Sequence, residues 1–126
     1  MKLNLPKDKK LKSRKAIEQL FSAGKSIHRF PVRAIYFYEP EDENEFKIGV
    51  SVPKKKFRKS VERNLLKRRI REAVRLNQTR LGISGKIHMM FIFTGSEILP
   101  YSEIEKSIIA LFDSLNSISN GQTLEE

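Results

Sequence analysis

Hydrophobic and polar residues alternate with different periods along this chain, and each change of period marks an element. Residues 1–10 are lysine-rich, contain Pro6 and show no period, so they are expected to form a flexible basic arm. Ser13 can cap a helix. Ile17, Leu20 and Phe21 then recur at helical spacing up to Ala23, where Gly24 supplies the stop. Residues 25–28 suffice for a short strand. Residues 30–38 are rich in β-branched and aromatic side chains (Val32, Ile35, Tyr36, Phe37, Tyr38) and predict a strand whose start tolerates Pro31. Phe46, Ile48, Val50 and Val52 alternate with Lys47, Gly49 and Ser51. That is the period of a half-buried strand, expected to run antiparallel to the preceding one across a polar hairpin turn at 39–45.

Pro53 ends that strand, and residues 54–59 read as a basic loop. A helix follows from about residue 60 to residue 77 or a little beyond. Stepping about 100° per residue, Leu66, Ile70, Ala73 and Val74 share one face. Arg63, Lys67, Arg71 and Arg68 share the adjoining face, with Asn64 in its middle. Gly82 and Gly85 break the chain. Residues 86–94 are largely apolar and predict a central strand covered on both faces. Ser102 with Glu105 has the spacing of a capping box for a last helix, whose Ile104, Ile108, Leu111, Phe112 and Leu115 recur at helical intervals. From Ser117 the tail is polar and expected to fray. The pattern is that of a single α+β domain over 11–116, with an arm at 1–10 and a tail at 117–126.

Composition narrows the possible roles. The 126 residues contain no cysteine, which excludes disulfides, thiol catalysis and Cys-ligated zinc. The longest apolar stretch, residues 87–93, is far shorter than the ~20 residues of a membrane helix. The basic N-terminus lacks the apolar segment of a secretory signal, so a cytoplasmic location is expected. Lys and Arg number 25 against 15 acidic residues, a net charge of +10. The excess is not spread evenly. Residues 1–33 hold ten basic and two acidic side chains, residues 53–71 hold ten and one, and the remainder is mildly acidic. Blocks of one sign repel themselves and call for a polyanionic partner.

Candidate catalytic chemistry is sparse. His88 lies in the apolar strand and reads as a structural histidine, while His28 adjoins Arg29 and could touch a phosphate. No Ser/His/Asp arrangement, phosphate-cradling glycine loop or paired histidine ligands occur. Glu41, Asp42, Glu43 and Glu45 fall in the expected turn and read as a solvated surface rather than an ion site. Binding chemistry is richer. Arg63, Lys67 and Arg71 stack along one helix edge, Arg68 widens it, and guanidinium forks make directed contacts to phosphates. The Asn64 amide both donates and accepts, so it can order a phosphate, a 2′-hydroxyl or a base edge. Phe21, Phe30, Tyr36, Phe37 and Tyr38 can form stacking platforms if exposed. Phe37 is expected in the core, and for Tyr36 and Tyr38 both readings stay open.

Residues 50–55 (Val-Ser-Val-Pro-Lys-Lys), followed by Val61-Glu62-Arg63-Asn64-Leu65-Leu66-Lys67-Arg68-Arg69-Ile70-Arg71-Glu72, resemble the protein subunit of bacterial ribonuclease P. That family carries a strand ending in Ser-x-x-Lys-Lys and a helix opening on Arg-Asn-Arg. Residues 11–24 are similar to its first helix, and the resemblance runs from about residue 9 to 116. Leu65 stands where the family has its second arginine, which implies one lost RNA contact, with Arg69 as a partial substitute. The resemblance implies an α-β-β-β-α-β-α sandwich with a four-stranded mixed sheet and an unusual left-handed β-α-β crossover, as in the second domain of a small-subunit ribosomal protein. It also implies a non-catalytic subunit of an endoribonuclease that removes the 5′ leader of precursor tRNA and is inactive alone. The RNA subunit would carry the active site and hold most of the Mg²⁺. The protein would bind no cofactor, membrane or small-molecule substrate of its own. RNA binding would fall to Lys54, Lys55, Arg58, Arg63, Asn64, Lys67, Arg68 and Arg71. Leader contact would fall to a cleft of Ile17, Phe21, Tyr36 and Tyr38, Ile17 standing where an aromatic is expected. The alternative is a structural, ribosomal-type RNA-binding protein with no role in cleavage.

Overall fold

The computed structural model describes residues 10–82 and 84–119. Its elements are α1 (Arg14–Ala23), β1 (Lys25–Arg29), β2 (Val32–Glu39), β3 (Glu45–Ser51), α2 (Ser60–Asn77), a 3-10 turn (Gln78–Arg80), β4 (Lys86–Phe93) and α3 (Tyr101–Ser119). This is the expected α-β-β-β-α-β-α order. Most of the expected arm and tail, residues 1–9 and 120–126, lies outside the described residues.

The four strands form one mixed sheet in the order β1-β2-β4-β3. β4 pairs antiparallel with β2 and parallel with β3, so β3 and β4 are parallel neighbours joined through α2. The expected hairpin between β2 and β3 is therefore corrected. The two strands do run in opposite senses, but β4 lies between them. The reason is burial. Residues 87–93 are apolar except for His88, and the central position pairs both edges of this strand while α2 and α3 cover one of its faces and α1 part of the other. Gly85 makes the entry to β4 possible. Its φ is +107°, and a Cβ there would lie 2.6 Å from the Glu39 carbonyl oxygen.

One sheet face meets α2 and α3. Val32, Ala34, Tyr36, Ile87, Met89, Phe91 and Phe93 pack there against Leu66, Ile70, Ala73 and Val74 of α2 and the Ile104–Leu115 stripe of α3. Phe112 stands edge-on to Phe91 and Phe46, at centroid distances of 6.3 and 6.5 Å. The other face carries Ile35, Phe37, Met90 and Ile92 by strand register. α1 packs there against β2 and β4, with Leu20 fully buried. Ser13 caps α1, accepting from the Ala16 N–H at 3.2 Å. Gly24 ends it through close approach rather than left-handed backbone. Its φ is −77°, and a Cβ would lie 2.3 Å from the Leu20 carbonyl oxygen and 2.9 Å from that of Tyr36.

Three local expectations change. α3 starts at Tyr101, before Ser102, and Glu105 accepts from the Tyr101 hydroxyl (2.9 Å) and the buried Asn77 amide (3.0 Å), so its carboxylate joins two helices. Burial and that carboxylate push the Tyr101 phenol up to about 12. The helix continues through residues 117–119, because Leu115 and Ile118 still pack on the core. Lys10, assigned to the arm, already bridges to Ile48, and the Leu11 N–H donates to the Ile48 carbonyl at 2.6 Å.

Candidate nucleic-acid interface

The basic loop is held rigidly although it lacks regular structure. Phe57 is buried, with its ring 5.7 Å from that of Phe93. The Pro53 carbonyl accepts from the N–H groups of Lys56 and Phe57, and the Lys56 ammonium donates to the Thr94 carbonyl at 2.8 Å. With Phe57 and Lys56 used as anchors, Lys54, Lys55 and Arg58 are left exposed.

Arg63 closes the loop onto the helix. By the 100° step it falls between Ile70 and Val74, on the core-facing arc, but in the first turn of the helix, next to the loop. Its guanidinium therefore turns onto the loop, donating to the carbonyls of Phe57 (2.8 Å) and Arg58 (2.9 Å). Asn64, Arg68 and Arg71 are exposed and Lys67 is half-buried. Among the described residues, none of Lys54, Lys55, Arg58, Lys67, Arg68 and Arg71 forms an ion pair. With Arg63, which bonds only neutral carbonyls, the face carries seven cations without an ion pair among the described residues, an arrangement that suits an external polyanion. Arg69 does not replace the arginine missing at Leu65. It turns to the opposite side and donates to the Leu99 carbonyl at 2.5 Å, while Leu65 itself is half-buried.

Arg71 connects this face to the α1 side of the sheet. With Lys10, Leu11 and Lys12 it lines a hollow floored by Gly49 and Met90. A Cβ at Gly49 would press on the Met90 side chain at 2.8 Å, so glycine keeps the floor low. Ile17 (half-buried) and Phe21 (53% exposed), one turn apart on α1, stand on this side.

The structure does not bring Tyr36 and Tyr38 to Ile17 and Phe21. Tyr36 is buried in the core facing α2 and α3, and Tyr38 points the same way, its hydroxyl donating to the Ser84 carbonyl at 2.9 Å. The half-buried Ile35 and Phe37 are the β2 side chains that share a face with α1. Alternation in the sequence showed which residues share a face. It did not show that the two-helix layer covers the Tyr36 face and the single helix α1 only part of the other.

Both histidines are engaged. The His88 Nε2 lies 2.6 Å from a Glu45 carboxylate oxygen, and this bond holds the Glu45 pKa below its ordinary value of 4.5. The His28 Nε2 lies 2.9 Å from the Thr94 hydroxyl. Asp42 pairs with Lys86 at 3.9 Å, and among the described residues no three His, Asp or Glu side chains converge on a point. Among them too, no helix is long and apolar enough to cross a membrane.

Comparison with known proteins places the chain in a family and its fold among solved structures. A family model described as Ribonuclease P matches residues 5–116. A ribonuclease P protein component of Streptococcus agalactiae is 30% identical over 105 residues, covering 83% of this chain and 92% of that protein. Another, from Porphyromonas gingivalis, is 40% identical over 75 residues, covering 59% of this chain and only 55% of its own length. Among solved structures, the RNase P protein of Staphylococcus aureus superposes with a TM-score of 0.70 at 20% identity, over 86% of this chain and 95% of that one, a likeness of fold.

Proposed function

This chain belongs to the ribonuclease P protein family, and from that premise we propose that it is the protein subunit of a cytoplasmic ribonucleoprotein that removes the 5′ leader of precursor tRNA. The single observation that supports this most is the uncompensated cationic face. Lys54, Lys55 and Arg58 on an anchored loop continue into Arg63, Asn64, Lys67, Arg68 and Arg71 on α2. These residues bind the RNA subunit. The protein contributes no acid/base pair to the cleavage. It reduces repulsion between two polyanions, RNA subunit and substrate, and so tightens their association. The divalent ions of the reaction are held mainly by RNA. The acidic 41–45 segment does not offer a competing site, since Asp42 and Glu45 are turned to Lys86, Lys47 and His88.

The leader lies on the opposite side of the sheet, against Ile17 and Phe21 of α1. Ile35 and Phe37 take the place first assigned to Tyr36 and Tyr38. Arg71, at the hollow beside Lys10 and Lys12, sits where the two RNA surfaces meet. Titrating a bacterial ribonuclease P RNA and a leader-bearing precursor tRNA against two classes of variant tests this. Arg68→Ala should weaken assembly with the RNA subunit, and Phe21→Ala should weaken only the preference for precursor over mature tRNA. Equal losses in both assays for both variants would refute the division.

A further inference from the structure

Phe30 is the most exposed aromatic side chain among the described residues, at 66%. It lies in the turn between β1 and β2, outside the strand in which it was expected, so register does not dictate its direction. Its chain neighbour Pro31 is buried, and at the same end of the sheet Phe57 and Phe93 pack together in the core, while the Phe30 ring stays outside it. The turn is also fixed in place. The Thr94 N–H donates to the Pro31 carbonyl at 2.7 Å, and the Thr94 carbonyl accepts from the Lys56 ammonium at 2.8 Å. The His28 ring reaches the Thr94 hydroxyl. Gly95 lies so close to the Phe93 ring that a Cβ would meet it at 2.9 Å. Three loops, 30–31, 54–59 and 94–95, are thus clamped at one end of the sheet. One of them carries the exposed cations Lys54, Lys55 and Arg58.

An exposed aromatic ring on a rigid turn beside uncompensated cations has a specific use. It presents a flat apolar surface where a polyanion is already held. We propose that Phe30 is a stacking platform for an unpaired base of the RNA bound by the 54–58 loop, extending the RNA surface past the α2 face to the β1–β2 turn. The inference rests on the function proposed above. A protein partner is disfavoured by the charge, since the loop tied to this turn through Thr94 carries the exposed cations Lys54, Lys55 and Arg58. A paired base is excluded, because its faces are covered by its neighbours in the helix. Stacking tolerates any base, so the platform strengthens binding with little sequence preference.

The test is binding of full-length protein to a bacterial ribonuclease P RNA over a range of salt. Phe30→Ala is expected to lose about 5- to 100-fold in affinity with an unchanged salt slope, since no charge is removed. Phe30→Trp should bind at least as tightly as the parent, and Phe30→Leu, apolar but not flat, should resemble alanine. Lys55→Ala should instead lower the slope. Parent-like affinity for Phe30→Ala would overturn the platform and leave the ring to a protein contact. Parent-like affinity for Phe30→Leu would overturn stacking as the mode of contact. If the parent protein itself does not bind this RNA, the failure lies with the function proposed above rather than with Phe30.

Discussion

Replacing Arg63 by alanine perturbs two things at once, and the structure separates them. Its guanidinium carries charge on the RNA face and also fastens the basic loop through bonds of 2.8 and 2.9 Å to the carbonyls of Phe57 and Arg58. A bond from a charged donor contributes ~1.5–3 kcal/mol when both ends leave water. Here the Arg58 carbonyl is exposed and regains water, so the pair contributes about 1–2 kcal/mol. For a domain of this size that lowers the melting temperature by roughly 3–8 °C. Arg68 is exposed on the same helix and makes no such bond among the described residues, so Arg68→Ala should melt within about 2 °C of the parent. In RNA titrations each variant loses one cation, lowering the log–log salt slope by about 0.7–0.9. Arg63→Ala loses more, because the loop presenting Lys54, Lys55 and Arg58 is released. Arg63→Lys restores the charge but not the fork, recovering slope without recovering melting temperature. Thermal unfolding by circular dichroism and filter-binding titrations between low and moderate salt read both effects. Equal melting temperatures and equal slope losses for Arg63→Ala and Arg68→Ala would refute the reasoning.

Other expectations follow from particular contacts. Tyr36→Ala should destabilise the fold by about 3–4 kcal/mol, because the ring is buried against the helical layer, and Phe21→Ala should leave urea unfolding unchanged. Gly85→Ala should cost at least ~2 kcal/mol, given a φ of +107° and the Glu39 carbonyl at 2.6 Å. Gly82→Ala, whose Cβ would meet no described atom within 4 Å, should cost under about 0.5 kcal/mol. The Tyr101 phenol is raised from 10.0 to about 12 in the folded state. Its contribution is complete below pH 10 and is lost as pH rises toward 12, so Tyr101→Phe should flatten the fall in stability over that window.

The helices were legible because their signals are local. Leu66, Ile70, Ala73 and Val74 lie a turn apart, and all are fully buried. The start of α2 near residue 60 follows from the basic loop before it, while its end, expected at residue 77 or a little beyond, lies at Asn77 with a 3-10 turn after it. Strand order was not legible, because it depends on which strand needs two covered faces, a property of the whole sheet. The basic face could be read as a row of charges. The carbonyls that Arg63 and Lys56 hold, and the turning of Arg69 away to Leu99, are tertiary facts with no spacing to announce them. The capping-box spacing at Ser102 and Glu105 was matched by sequence alone, while Asn77, 28 residues away in the chain, took the carboxylate.

Cleavage of a precursor tRNA at low Mg²⁺, by a bacterial ribonuclease P RNA with and without this protein, tests the central claim most directly. The account predicts mature 5′ ends only when RNA and protein are both present, with Arg68→Ala requiring more protein for the same rate. No stimulation by a protein that still binds structured RNA would contradict it and favour a structural, ribosomal-type role.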